Sequence, residues 1–96
     1  MELGDLVISR CGRDKDRPML VVGKTGTNGI LLCDGRLRRI ESPKAKREKH
    51  VLWSSCPEGR IFDKIRSGEK VTNAEIRRAI AGLIVREKEE GTYGQG

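Results

Sequence analysis

The chain has 96 residues, with 20 Lys and Arg against 14 Asp and Glu and a sequence pI near 9.6. That length holds one domain with a modest core, and 23 Leu, Ile, Val and Phe residues suffice to fold so charged a chain. No apolar run approaches the ~20 residues of a membrane span, and MELGDLVISR lacks a basic stretch followed by an apolar signal core, so a soluble cytoplasmic protein is expected.

The first half reads as short strands with turn punctuation. Asp5–Arg10, Met19–Val22, Ile30–Cys33, Leu37–Ile40 and Val51–Trp53 are apolar runs of strand length, separated by clusters of Gly, Asp, Asn, Thr and Pro. Five strands at this spacing predict a small barrel over residues 1–56. Asp14 and Asp16 alternate with Arg13, Lys15 and Arg17, the pattern of a solvated, self-neutralised turn. GKTGTNG, Gly23–Gly29, reads as a hairpin loop; Lys24-Thr25 follows the first glycine directly and misses the spacing of a phosphate-binding loop. Asp34-Gly35 is a two-residue hairpin signal with both residues expected at positive φ. It would deliver Arg36, Arg38 and Arg39 onto the Leu37–Ile40 strand, whose broken alternation and charge suit a sheet edge.

Beyond Pro57 the apolar period lengthens to 3.6. Ile61, Phe62 and Ile65 share one side of a short helix that Ser67-Gly68 ends. The next helix opens on Thr72 as N-cap, with Glu75 as capping-box partner and Val71 and Ile76 as a hydrophobic staple. Its buried stripe is expected at Ile76, Ala79, Ile80, Leu83 and Ile84, with Arg77 and Arg78 turned to solvent or a partner and Gly82 marking close packing. These helices form an extension over residues 57–90, packed on or beside the barrel, and the Gly-rich end, residues 91–96, is expected to be disordered. The fold class is therefore mainly β with a C-terminal α extension.

Nothing in the sequence assembles an active site. Cys11, Cys33 and Cys56 are odd in number and unpaired in spacing, and His50 is the only histidine. A structural zinc site needs four ligands, usually clustered in pairs, so neither metal nor cofactor is expected and the thiols read as reduced and structural. No carboxylates are paired for acid and base work.

Charge, by contrast, is segregated. Residues 10–49 carry twelve basic and five acidic side chains, leaving the rest of the chain at −1. Within Gly35–His50 alone, Arg36, Arg38, Arg39, Lys44, Lys46, Arg47 and Lys49 face only Glu41 and Glu48. A planar guanidinium grips phosphate with two parallel bonds, and Ser42-Pro43 fixes the path of the run as a solvating tail would not need. The candidate nucleic-acid contacts are these seven cations and His50, with Arg13, Lys15 and Arg17 as a second loop on the same rim. Trp53, Phe62 and Tyr93 are the only aromatics, and the core is expected to take most of them. Few remain to stack bases, so a partner RNA is expected to be met through phosphates, 2′-hydroxyls and folded shape.

LGDLVISRCGRDKDRPMLVVG resembles the KOW motif, and ILLCDGRLRRIESPKAKREKHVLW is similar to the region that follows it in KOW-domain RNA-binding proteins of bacteria. These resemble in turn the eukaryotic and archaeal large-subunit ribosomal protein family fourteen-e. Gly12–Lys15, Asp34–Arg39 and Pro43–His50 match the pattern in order, and Glu69–Ile80 resembles the helical ending of the bacterial members, so the resemblance spans roughly residues 2–84. It implies an SH3-like barrel, association with structured RNA (ribosomal RNA or the ribosome first), and neither catalysis nor a small-molecule substrate. Asp16 stands where the KOW pattern prefers Gly, in a turn expected to need positive φ, which Asp is among the few other residues to adopt. The competing expectation is a protein-interaction module bound to an acidic surface of the transcription or translation machinery through Ile76–Ile84 or the Arg77-Arg78 face. A monomer is expected in either case.

Overall fold

Met19 to Val22 and Ile30 to Cys33 are apolar without interruption, and strands of that kind must be covered on both faces. The computed structural model, which describes the backbone of residues 1–95 and side chains through Ile84, meets that demand. β1 (Leu6–Ser9), β2 (Pro18–Thr25), β3 (Gly29–Cys33), β4 (Lys44–Arg47) and β5 (Val51–Ser55) form one antiparallel sheet in the order β4-β3-β2-β1-β5. Two helices follow, α1 (Arg60–Arg66) and α2 (Asn73–Gln95). The expected disordered segment, 91–96, lies outside the residues whose side chains are described, and the bounds of α2 reach into it as far as Gln95.

The sheet curls into a small barrel-like body that is left open between β4 and β5. In a flat sheet β4 and β1 would stand three strand spacings apart, about 14 Å, further than one lysine reaches. Yet Lys46 Nζ on β4 donates to Ser9 Oγ at the end of β1 and to the Cys11 carbonyl, both at 2.9 Å. Inside the curl lies one apolar cluster, Val7, Met19, Val21, Ile30, Leu32 and Val51. Outside it, Leu6, Leu20 and Cys33 share a second cluster with Phe62, Ile65, Val71, Ile76 and Ile80. The helices therefore cover the outer face of the sheet, and sheet and helical extension share one core.

The helical signals are realised closely. Glu75 N donates to Thr72 Oγ1 at 3.1 Å and Thr72 N to Glu75 Oε1 at 3.0 Å, a reciprocal capping box. Val71 and Ile76 are both buried, and Ala79, Leu83 and Ile84 pack against the same cluster. Gly68, at φ +80, ends α1, and Glu69 N reaches back to the Lys64 carbonyl at 2.9 Å.

Three expectations are corrected. Leu37–Ile40 is not a strand: Leu37 is 67% exposed, and the fourth strand lies beyond Pro43 at Lys44–Arg47. KAKR carries no apolar alternation; it is a strand because β3 offers a free edge, with Ile30 opposite Lys46 and Leu32 opposite Lys44. The Asp34-Gly35 turn has only Gly35 at positive φ, because the Asp34 carboxylate organises the turn by accepting the Arg36 and Arg38 amides at 2.9 and 3.0 Å. Gly82 marks no close packing, since a Cβ there would meet nothing within 4 Å. Among the described residues no helix is long and apolar enough to cross a membrane.

Exposed Gly82 inside a helix carries only the entropic disadvantage of glycine. Gly82→Ala should stabilise the protein by about 1 kcal/mol, roughly 4–8 °C in thermal midpoint by circular dichroism.

Candidate nucleic-acid interface

The basic stretches at 13–17 and 34–39 are far apart in sequence and meet through two crossed ion pairs. Arg38 donates to Asp14 from Nε at 3.2 and 3.3 Å and from Nη2 at 3.0 Å. Arg17 Nη1 donates in the other direction to Asp34 Oδ2 at 3.3 Å. Each loop thus contributes one acid and one base. Asp14 is not the solvated turn residue expected: it is only 2% exposed and lies in a 3₁₀ turn, Gly12–Asp14, that folds it inward onto Arg38. Asp16 follows at φ +67, the positive value expected of that position, and its amide donates to the Ser9 carbonyl at 2.8 Å.

Burial alone would raise the Asp34 carboxyl, but the amides of Arg36 and Arg38 together with the Arg17 guanidinium outweigh it and hold that group below its ordinary value. Nearby Cys33 moves the other way. Burial, helped by the charges of Asp34 and Glu41, pushes its thiol up to about 12, which leaves it an inert core group. Cys11 and Cys56 are exposed.

Helix α2 clamps the same 34–41 loop from behind. Asn73 Oδ1 accepts the Ile40 amide at 2.8 Å, Asn73 Nδ2 donates to the Glu41 carboxylate at 2.9 and 3.0 Å, and Arg77 Nη1 donates to the Gly35 carbonyl at 2.7 Å. Gly35 is required twice over, by its φ of +78 and because a Cβ would stand 2.5 Å from the Asn73 carbonyl oxygen. Arg77 accordingly docks onto the loop, against the expectation that it faces solvent or a partner, while Arg78 is exposed.

Three of the eleven candidate contacts have their charged ends engaged within the protein: Arg17 on Asp34, Arg38 on Asp14, and Lys46 on Ser9 and Cys11. The other eight, Arg13, Lys15, Arg36, Arg39, Lys44, Arg47, Lys49 and His50, are exposed. Among the described residues none of the eight has an ion-pair partner. Arg13 and Lys15 flank buried Asp14, Arg36 and Arg39 flank Arg38, and Lys44 and Arg47 flank Lys46, so free cations stand beside Asp14, Arg38 and Lys46. Arg47, Lys49 and Asn28 line a shallow recess where β4 turns toward β5.

Two exposed residues go beyond what the sequence singled out, and the first, Arg10, belongs to this surface. Arg10 is exposed and its amide donates to the His50 carbonyl at 2.9 Å, which places it beside the end of the basic run. Trp53 is not a core residue: it is 55% exposed on edge strand β5, with its indole Nε1 donating to Asp5 Oδ2 at 3.1 Å. A half-buried indole pinned by one hydrogen bond is a fixed apolar plate.

No protein-family model and no curated protein matches this chain.

The engaged and exposed cations separate by mutation. Arg38→Ala strands a buried carboxylate and should cost about 3 kcal/mol, whereas exposed Arg39→Ala should stay within about 0.5 kcal/mol, both read from urea denaturation. Because the Asp34 carboxyl is lowered by folding, its stabilisation is present above the unfolded value near ~3.9 and fades as pH falls through the folded one. Asp34→Asn should therefore be less stable than the parent at pH 7, with the gap narrowing in melts taken below about pH 4.

Proposed function

We propose that this protein is a non-catalytic, cytoplasmic RNA-binding protein that grips structured RNA, ribosomal RNA first among the candidates, by its phosphates. The observation that carries the reading is the set of exposed cations that, among the described residues, have no ion-pair partners, several of them on loops that Asp14 and Asp34 hold in place. Cations on a pre-ordered loop lose little entropy on meeting a phosphate, and each phosphate they neutralise releases condensed counterions. The resemblance to KOW-domain proteins, carried by Gly12–Lys15, Asp34–Arg39 and Pro43–His50, supports the same reading.

The competing protein-docking reading is less well supported, since Ile76 and Ile80 of its proposed contact pack largely in the chain's own core. Of its Arg77-Arg78 face, Arg77 spends one donor on the Gly35 carbonyl, and Arg78 is exposed.

The test is fluorescence anisotropy with structured ribosomal RNA fragments and matched duplex DNA, across ~50 to 300 mM salt. RNA should be preferred, with affinity falling linearly in log-log form. Combining Arg13→Ala, Lys15→Ala and Arg39→Ala should weaken binding by at least about tenfold and lower the salt slope by about three, with the thermal midpoint unchanged. Equal affinity for both polymers, or a folded triple variant that binds as well as the parent, would overturn the proposal.

A further inference from the structure

On the helix side of the 34–39 loop lies a cleft of about 280 Å³ whose chemistry differs from the open basic surface. Its floor is Ile80, Ala81 and Ile84, and its rim is Arg17, Arg36 and Arg77. Arg77, Ala81 and Ile84 follow one another at helical spacing along one side of α2, so the floor is a continuous apolar strip with a notch at the alanine.

The rim is arranged for an anion. Arg17 and Arg77 each spend Nη1 inside the protein, on Asp34 and on the Gly35 carbonyl, which fixes both guanidinium planes and leaves the remaining donors of each fork. Among the described residues the only acid on the cleft, Asp34, is already met by two backbone amides and Arg17. Among the described residues Arg36 and Arg77 have no ion-pair partner. An occupant must then combine a negative group with a compact apolar body, and the volume lies just below the range for drug-sized ligands.

Arg36 belongs at once to this rim and to the basic loop, so the cleft is continuous with the proposed RNA-binding surface. We infer that the cleft receives a single unpaired nucleotide of the bound RNA, its base on Ile80, Ala81 and Ile84 and its phosphate on Arg36 and Arg77. The base presents apolar faces to the floor, and its own phosphate lies one sugar away, where the rim is. This inference rests on the RNA-binding reading and narrows it: the preferred RNA is a helix carrying a bulged or looped-out nucleotide.

Two measurements on the full chain test it. The first compares a fully paired RNA hairpin with the same hairpin carrying one bulged adenosine, by anisotropy, for the parent and for Ala81→Trp. Ala81 is exposed, so the larger ring fills the notch without entering the core; Ala81→Leu serves in its place if the tryptophan variant melts early. The parent should prefer the bulged hairpin by about fivefold or more, and the filled variant should lose that preference while keeping its affinity for the paired one. The second follows the methyl NMR signals of Ile80, Ala81 and Ile84 during titration with AMP; all three should shift in the parent, while those of Ile80 and Ile84 stay still in the variant.

Equal binding of the two hairpins by the parent, or a preference that survives Ala81→Trp, overturns the inference. So does an acidic peptide with one phenylalanine that moves these methyls where AMP does not, which would make the cleft a protein-docking site. Hairpin binding with silent methyls sinks the cleft alone. AMP shifts without binding of either hairpin would sink the RNA-binding reading and leave the occupant a free nucleotide.

Discussion

A carboxylate that has left water must be met by cations or amide hydrogens, and Asp14 and Asp34 are met from each other's loop. That reciprocity is the constraint on which the basic surface depends. With one acid and one base on each side, neither loop can be displaced without stranding a buried charge, and breaking such a pair costs more than an exposed one contributes. The Lys24–Glu2 pair, open to water on both sides, belongs to the second kind. Mutual repulsion among Arg13, Lys15, Arg36 and Arg39 would otherwise spread the loops apart, since charges within a Debye length of about 8 Å still feel one another. Two nearly dry carboxylates between them supply the opposing attraction.

The same loop joins the two halves of the molecule. Residues 34–41 touch the barrel through Asp14 and Arg17 and touch α2 through Asn73 and Arg77. Sheet and helix are thus coupled twice, by the apolar cluster around Leu20 and Ile76 and by this polar strap. Next to the 12–17 loop Lys46 performs a related task, holding the basic edge strand onto the end of β1 where the sheet stays open. The curl is therefore fixed by side chains at its seam as well as by the filling of its interior. A free β4 edge is the exposed flank of the sheet, and its lysines and arginine are what discourages pairing with another chain.

Much of this was legible from residues alone, for stated physical reasons. Four of the strands, β1, β2, β3 and β5, announced themselves as apolar runs, and the α2 start was readable because Thr72, Glu75, Val71 and Ile76 each contribute a local signal within a few positions. β4 was illegible because KAKR has no pattern to read: its partner β3 makes it a strand. Asp14 looked solvated because alternating charges are usually so, and nothing within five residues says that Arg38, 24 positions away, will fold onto it. Trp53 departs from a sound average rule, since aromatics mostly go inside; Asp5, 48 positions away, bonds this one on an exposed edge strand. What the sequence conceals in each case is a long-range partner, and what it reveals is local.

Charge density finds a surface but does not say which cation on it is free. Eleven residues stand out by composition, and in the folded chain three have become parts of the scaffold, two of them the arginines that meet buried acids. Arginine suits that duty because its fork can satisfy a carboxylate with two donors and still present others outward, as Arg17 and Arg38 do from half-exposed positions. Such residues serve the fold and remain within reach of a partner, so their loss moves stability and binding together and cannot by itself identify a contact. The neighbours on either side, Arg13, Lys15 and Arg39, carry no duty to the fold among the described residues. A change in affinity at those positions, with stability held, reports on the partner alone.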